Sequence, residues 1–461
     1  MKNILSIAGG LLFALLFHDQ LLGINVLIFS VFLIIALLVS NKKVAWTWPL
    51  TASMIGVVLS AVAIAYHGST PAKWSYFACI FLFLGYLAYP RASIYISLIN
   101  GVYNSILGIF HGFLYPSADS QEKSIQKIKY GEWILGIGIP LVLVVVFVSF
   151  YSNVNPVFDK WLNTILAEFE YIDFLWFFTA SVATFLMLNI IQPNTIEELK
   201  QADARQGNLL TPATTIDPSS VKTELRIGTL SLIALNVLLV LVLISEFMFL
   251  THLSDFTAAD LSKSVHQGVY SSIASVVVAI CLIAFVFRGS INWLKSNQTI
   301  KLLAYGWMVL NSFLLVTIAM KTWEYITSYG LTEKRIGVLI YLVLCLIGII
   351  TVFIKVQGAF NFAFLMRKNL SWSIAVLAVL GWINWSAVIS RYNIKHDFDN
   401  TYQLYQHFPQ NAFVLKQTNH YEEVTSHDKM RYSKKIDPSH LQDRNWQEFN
   451  YTFYKASTYE K

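Results

Sequence analysis

Charge is the scarcest property of this sequence. Asp, Glu, Lys and Arg make up 13% of its 461 residues, against about 25% in an ordinary soluble domain. A chain of this length with so few charges has more apolar side chains than a water-exposed fold can hide. The apolar content also argues against a disordered chain. Cysteine is nearly absent: Cys79, Cys281 and Cys345 all lie inside apolar stretches, so neither a disulfide framework nor a CxxC metal site is available. There is no P-loop, no HExxH, no GxSxG, and no histidine cluster in the apolar stretches, which leaves nucleotide hydrolysis, zincin and serine-hydrolase chemistry and haem without their residues. The tail histidines His396, His407, His420, His427 and His440 fit no ligand spacing. No metal and no cofactor is expected. The apolar run from Ile4 to Phe17 is followed by Phe17-His18-Asp19-Gln20, not by a small-residue cleavage site, and reads as a retained first span.

What the sequence has is apolar length. Hydrophobic residues are 56% of the chain and the mean hydropathy is +0.54. After the first run come Leu21 to Val39, Trp48 to Tyr66, Ala72 to Tyr89, Ala92 to Tyr115, Trp133 to Tyr151, Tyr171 to Ile191, Ile227 to Leu250, Ser264 to Phe287, Thr299 to Met320, Ile336 to Ile354 and Leu370 to Ile389. Most reach the ~20 residues a helix needs to cross ~30 Å of hydrocarbon. Lipid leaves backbone groups no partner but each other, so helices are expected. The shorter, alternating strands of a β-barrel are not present.

The basic residues orient these runs. Lys42 and Lys43, then Lys200, Arg205, Lys222 and Arg226, then Arg288, Lys295 and Lys301, then Lys355, Arg367 and Lys368 mark connections expected to be cytoplasmic, while the stretches 152–170 and 251–263 hold only Lys160 and Lys263. Lys123, Lys127 and Lys129 break the parity unless one preceding run does not cross. The run Ala92 to Tyr115 is the candidate, because Ser93, Ser97, Asn100, Asn104, Gly108 and His111 form a polar or small stripe at helical spacing. It reads as an amphipathic helix in the cytoplasmic interface; the alternative is a spanning helix with its stripe toward the bundle. The expected fold is an all-α polytopic bundle of about eleven transmembrane helices plus this interfacial helix. Residues 1–390 form the membrane domain, with a cytoplasmic loop at 193–224, and 391–461 an extracytoplasmic module. The N-terminus is inside and the C-terminus outside. Within the module, Phe398 to Leu415 suggests a helical hairpin broken at Pro409.

Several strings appear in order along the chain: Gly138-Ile139-Pro140-Leu141 leading to Ser152-Asn153-Val154-Asn155-Pro156-Val157-Phe158; Val265-His266-Gln267-Gly268-Val269-Tyr270; Tyr329-Gly330-Leu331-Thr332-Glu333-Lys334-Arg335; Ile389-Ser390-Arg391-Tyr392-Asn393-Ile394; and Asp443-Arg444-Asn445-Trp446-Gln447-Glu448-Phe449-Asn450. The set resembles a family of bacterial multi-pass membrane proteins catalogued as a domain of unknown function (4153/4173). The resemblance implies a membrane fold with a C-terminal segment outside the bilayer, and a place in the bacterial cytoplasmic (inner) membrane. It carries no activity and no catalytic residues.

The candidate sites are few. Glu246 and His266 fall near the outer ends of successive spans, where a carboxylate beside a histidine would bind a proton or cation. Gly330 and Thr332 read as a helix stop and the next N-cap, with Arg335 or Lys334 placed to meet a carboxylate or an anionic headgroup. Asn155-Pro156 begins an interfacial helix, Pro140 with Gly136 and Gly138 loosens its span, and Gly268 shares its string with His266. Asn384 and Arg391 close the last span, where Arg391 can snorkel to the outer interface, with Trp382, Trp385 and Tyr392 as interface anchors and Asn393 in the same structural string. The partners expected are membrane lipids and a small or lipidic ligand; nucleic acid is not among them. Transport or binding of such a ligand is the leading function, a cell-envelope sensor or scaffold the alternative, and a membrane-embedded enzyme on lipid-linked substrates the third.

Overall fold

The computed structural model describes residues 1–41, 44–111, 150–167, 174–211, 218–251, 258–294, 297–398, 400–425 and 444–459, with scattered positions between 140 and 148. The described helices up to the tail are α1 (Lys2–Phe17), α2 (Ile24–Ser40), α3 (Trp48–Tyr66), α4 (Thr70–Ala88), α5 (Ile94–Ile106), α6 (Pro156–Ala167), α7 (Phe174–Ile190), α8 (Glu197–Arg205), α9 (Pro218–Thr251), α10 (Ala258–Val286), α11 (Gln298–Tyr329), α12 (Glu333–Gly358) and α13 (Phe362–Trp382); α8 lies within the stretch 193–224 expected as a loop. The tail adds α14 (Trp385–Lys395), α15 (Thr401–Gln406), α16 (Ala412–Gln417) and α17 (Tyr451–Thr458). Pairing between extended segments, among the described residues, is a single antiparallel bridge between Leu209 and Phe360. The chain is a multi-pass membrane protein: α3, α4, α9, α11, α12 and α13 are long and apolar enough to cross a bilayer, and α1, α2, α7 and the 273–286 part of α10 are shorter apolar helices.

Two apolar cores organise the bundle. The first, around Leu37, Leu50, Phe83, Leu84 and Met187, belongs to α2, α3, α4 and α7, with α1 and α5 against it. The second, around Leu232, Ile283, Trp307, Leu314 and Val352, belongs to α9 through α12. Helix α13 joins them, giving Phe364 and Leu365 to the second core and Ile374 to the first. Apolar burial gains little where the competing solvent is lipid, so close backbone approach has to supply contact. At α4 and α5 it does: a methyl on Gly85 would overlap the Ser97 carbonyl, and one on Gly101 the Phe81 carbonyl.

Side-chain oxygens start the helices. Asn155 Oδ1 accepts from Val157 N at 2.9 Å ahead of Pro156, as expected from that dipeptide. Asn361 caps α13 through Phe364 N at 3.0 Å. Asn384 caps α14 through Ala387 N at 3.1 Å. That last cap corrects the final expected span. Leu370 to Ile389 is not one helix: the helix begins eight residues earlier, at Phe362 after its Asn361 cap, stops at Trp382, and a new one starts at Trp385. Asn384 offers the backbone a cap that interrupts the helix, and a hydropathy run does not register it.

A second expectation also changes. Helix α5 has 13 residues, about 20 Å at 1.5 Å per residue, and its stripe of Ser97, Asn100 and Asn104 is buried while Ile99, Val102 and Ile106 are exposed. The polar face meets protein, not water, because α4 and the chain at 194 offer it partners: Ser97 Oγ donates to Leu82 O at 3.1 Å and Asn104 Nδ2 to Asn194 O at 2.9 Å. Of the run Trp133 to Tyr151, only scattered positions from 140 on and its last two residues are described; the lysines 123, 127 and 129, and Gly136 and Gly138, lie outside the described residues.

The connections separate into two faces. Asn41 reaches Ile191 O, Ser93 and Arg367 meet Asp203, and Lys355 reaches Phe287 O, which gathers the basic connections on one face. On the other face lie residues 18–23, 67–69 and 330–332 with the tail. There Asn25, fully buried, donates to Leu16 O and Leu21 O and accepts from Gly23 N and Val26 N, so one amide closes the α1–α2 turn. Helices α15 and α16 form the expected hairpin around Pro409 and share a small core of Leu404, Phe408, Leu415, Tyr421 and Val424.

Candidate functional site

Glu246, near the end of α9, forms an ion pair with Lys321 of α11, whose ammonium also sits 4.4 Å from the centroid of the Phe249 ring. Both side chains are largely enclosed, 19% and 12% exposed. Lys321 follows directly after the run that ends at Met320, and a lone cation at the end of a span is the signal that marks it. The expected partner, His266, lies on α10 with Gly268; their side chains and surroundings are outside the described residues. The pair neutralises two charges that the bilayer would otherwise penalise.

The turn from α11 to α12 explains the Tyr329–Arg335 string. Gly330 takes φ +81°, a conformation that favours glycine. Thr332 Oγ1 accepts from Arg335 N at 3.4 Å, as its reading as an N-cap requires. Arg335 folds back onto the same turn, donating through Nη1 to Tyr329 O at 2.9 Å and to Gly330 O, with its guanidinium 4.0 Å from the Tyr325 ring centroid. Its donors are thus turned toward carbonyls of its own turn. Asn393 of α14 completes the assembly: Leu331 N donates to its Oδ1 at 2.6 Å and its Nδ2 donates to Leu331 O at 3.0 Å. The amide pairs both polar groups of one peptide residue, a role nothing in the local string announces.

Helix α14 crosses the tail-side face from the end of α13 to this turn. Its buried side, Ile389, Ser390 and Asn393, faces protein, and Ser390 Oγ meets Asn411 Nδ2 at 2.8 Å. Its other side borders a groove of ≈660 Å³. Arg391, Lys395 and His396 line one wall, and Lys455 of α17 lines another. Aromatic rings close it: Tyr66, the last residue of α3, stacks on Tyr451 with centroids 5.1 Å apart and planes at 9°, and Tyr392 stacks on His396 at 4.2 Å. Among the described residues, no carboxylate is in the lining. Among the described residues, Arg391, Lys395 and Lys455 make no ion pair.

The docking of α17 holds this wall in place. Asn450 caps α17 through Thr452 N at 3.1 Å and donates from Nδ2 to Ile64 O at 2.8 Å. Ile24 N donates to Phe449 O at 2.9 Å, and Leu21 N to Glu448 Oε1 at 2.9 Å. The Glu448-Phe449-Asn450 string therefore ties the tail to the starts and ends of α2 and α3. Arg391 and Asn393, two residues apart, point to different jobs: the asparagine is a joint and the arginine a groove wall. Lys395, Lys455 and Tyr451 were not legible as site residues, since three distant segments must meet to make the groove.

On the opposite face, Asp203 of α8 accepts from Ser93 N at 2.7 Å, from Ser93 Oγ, and from Arg367 Nη2 at 3.2 Å. Arg367 Nη1 also donates to Asn208 Oδ1 at 2.6 Å. Sequence reading counts these charges only for topology. Lys355 is 1% exposed and donates from Nζ to Phe287 O at 2.7 Å, just past the end of α10, where the helix dipole favours a cation.

No curated protein and no solved structure matches the chain. A family model described as Domain of unknown function (DUF4153) matches residues 4–408, from the first helix through the groove wall on α14 and helix α15 of the tail, so the chain belongs to that family.

Proposed function

We propose that this membrane protein binds an anionic ligand, small or lipidic, in the groove between α14 and α17. The observation that carries the reading is the lining: Arg391, Lys395 and Lys455 gathered in one cavity with no carboxylate among its described residues. Cations gathered without counter-charges repel one another, and an anion relieves that repulsion while accepting their hydrogen bonds. The aromatic walls suit a ligand with an apolar part. Binding is favoured over chemistry because the described lining offers no acid to pair with His396. A sensing role is supported by the mounting of the groove, since its walls are tied through Asn393 to the α11–α12 turn and through Asn450 to the end of α3, one in each half of the bundle.

The same reading places the tail outside and the basic connections inside a bacterial cytoplasmic membrane, by the positive-inside trend. The six long helices, the four shorter apolar ones and the apolar run Trp133 to Tyr151 make the eleven crossings of this topology.

The test is thermal denaturation of the purified protein in neutral detergent. Inorganic phosphate, glycerol phosphate and phosphatidylglycerol in mixed micelles are titrated in turn. At least one should raise the midpoint, as any ligand selective for the folded state does, and the rise should vanish in the Arg391→Ala/Lys395→Ala/Lys455→Ala variant. No rise with any of the three refutes the reading.

A further inference from the structure

We infer that the groove's ligand is an anionic phospholipid of the tail-side leaflet, held by its phosphate between Arg391, Lys395 and Lys455 with a chain lying along α3. This rests on the groove binding an anion, and adds where the rest of the ligand goes. Tyr66 is both a wall of the groove and the last residue of α3. Counting back from it, Val62, Leu59 and Ile55 stand at steps of four, three and four, which places all four side chains on one helical face. Each is exposed, from 36% to 51%, although α3 buries Val57, Ala61 and Ile64 on its other side. The ridge is therefore open to lipid and ends at the groove.

Its length fits one leaflet. Eleven residues of helix rise about 16 Å at 1.5 Å per residue, about half of a ~30 Å hydrocarbon core. A lipid standing on this ridge brings its phosphate to the level of Tyr66, where aromatic residues sit in the interface. The groove is sited for that headgroup: Arg391 and Lys395, one helical turn apart on α14, and Lys455 on α17 approach from two sides. Arginine offers paired N–H donors to phosphate oxygens, and the lysines add point charge. A soluble anion would use the cations equally well but would leave the ridge without a role.

The experiment separates these sources. Full-length protein is reconstituted in phosphatidylcholine vesicles with a minor share of phosphatidylglycerol, with benzoylphenylalanine at Leu59 for photocapture of neighbouring lipid. Captured phosphatidylglycerol should exceed its bulk share several-fold, and should fall to the bulk share in the Arg391→Ala/Lys395→Ala/Lys455→Ala variant. The same residue placed at Leu238, an exposed position of α9, should capture at the bulk ratio in both proteins. In detergent, phosphatidylglycerol should raise the melting midpoint while glycerol phosphate and inorganic phosphate do not. A bulk ratio at Leu59 in the unsubstituted groove overturns the inference. If the soluble phosphates then raise the midpoint through the three cations, the anion site stands without its lipid; if they do not, and phosphatidylglycerol does not, both readings fall.

Discussion

At the scale of single residues, the tail-side face is built from groups that satisfy backbone at a chain break. Asn25, Asn384, Asn393 and Asn450 each hold a turn or a helix start there. His67 belongs to the same seam. It is 1% exposed between α3 and α4, and its Nδ1 accepts from Ser69 N at 3.2 Å, which requires that nitrogen to be unprotonated. Burial pushes its pKa below the ordinary 6.5. Burial acts on His407 in the same direction, partly offset by Glu333. Below about pH 6.5 the unfolded chain then binds protons that the folded protein refuses, so stability falls as pH is lowered through that value. The melting midpoint should drop between about pH 7.5 and about pH 5.5, and His67→Gln, which keeps an acceptor without titrating, should lose part of the drop. An undiminished drop in the Gln variant would remove His67 from this account.

At the scale of elements, the apolar runs locate the helices well, because lipid exposure and burial both select apolar side chains and every crossing leaves a long run. The joints between elements are much less legible. The break at Ile383 and Asn384 lies inside an apolar stretch, and only a cap geometry reveals it. The stripe on α5 shows its spacing in the sequence but not its direction, since the same residues serve a wet face or a packed one. The loop before α9 is harder still: Asp203 gains meaning only from Ser93 and Arg367, which are more than a hundred positions away on either side. That carboxylate, 3% exposed, clasps α8 to the start of α5 and to α13, the helix shared by both cores. Asp203→Asn leaves the partly exposed Arg367 without its counter-charge, a loss of about 1–3 kcal/mol. The exposed Arg205 next to it should then be cut by trypsin several-fold faster in detergent micelles, with a lower melting midpoint. Equal cleavage rates would show that the other bonds of the segment, Asn361 to Gly207 and Arg367 to Asn208, hold it alone.

At the scale of the whole molecule, the two faces differ in kind. One carries the clasp around Asp203, the Arg288–Glu224 pair at 3.1 Å and the buried Lys355; the other carries the tail, its small core and the groove. Helices α9 and α13 leave most of their apolar surface open, as lipid-facing helices do, so the slab that surrounds them fixes which parts of each face meet water. In the proposed orientation, Lys and Arg on the clasp face resist translocation, while the groove cations Arg391, Lys395 and Lys455 run against that trend, a cost that makes sense if the groove needs them. The orientation that follows is testable directly. In a background where Cys281, the exposed native cysteine, is serine, Thr458→Cys on α17 should react with a membrane-impermeant maleimide in intact cells. Gln201→Cys on α8 should react only after the membrane is opened. Both side chains replaced are exposed, so failure to label in opened membranes is not expected from burial. The reverse pattern would turn the molecule over: the groove would then face the cytosol, its three cations would follow the positive-inside trend, and the lipid it meets would be that of the inner leaflet.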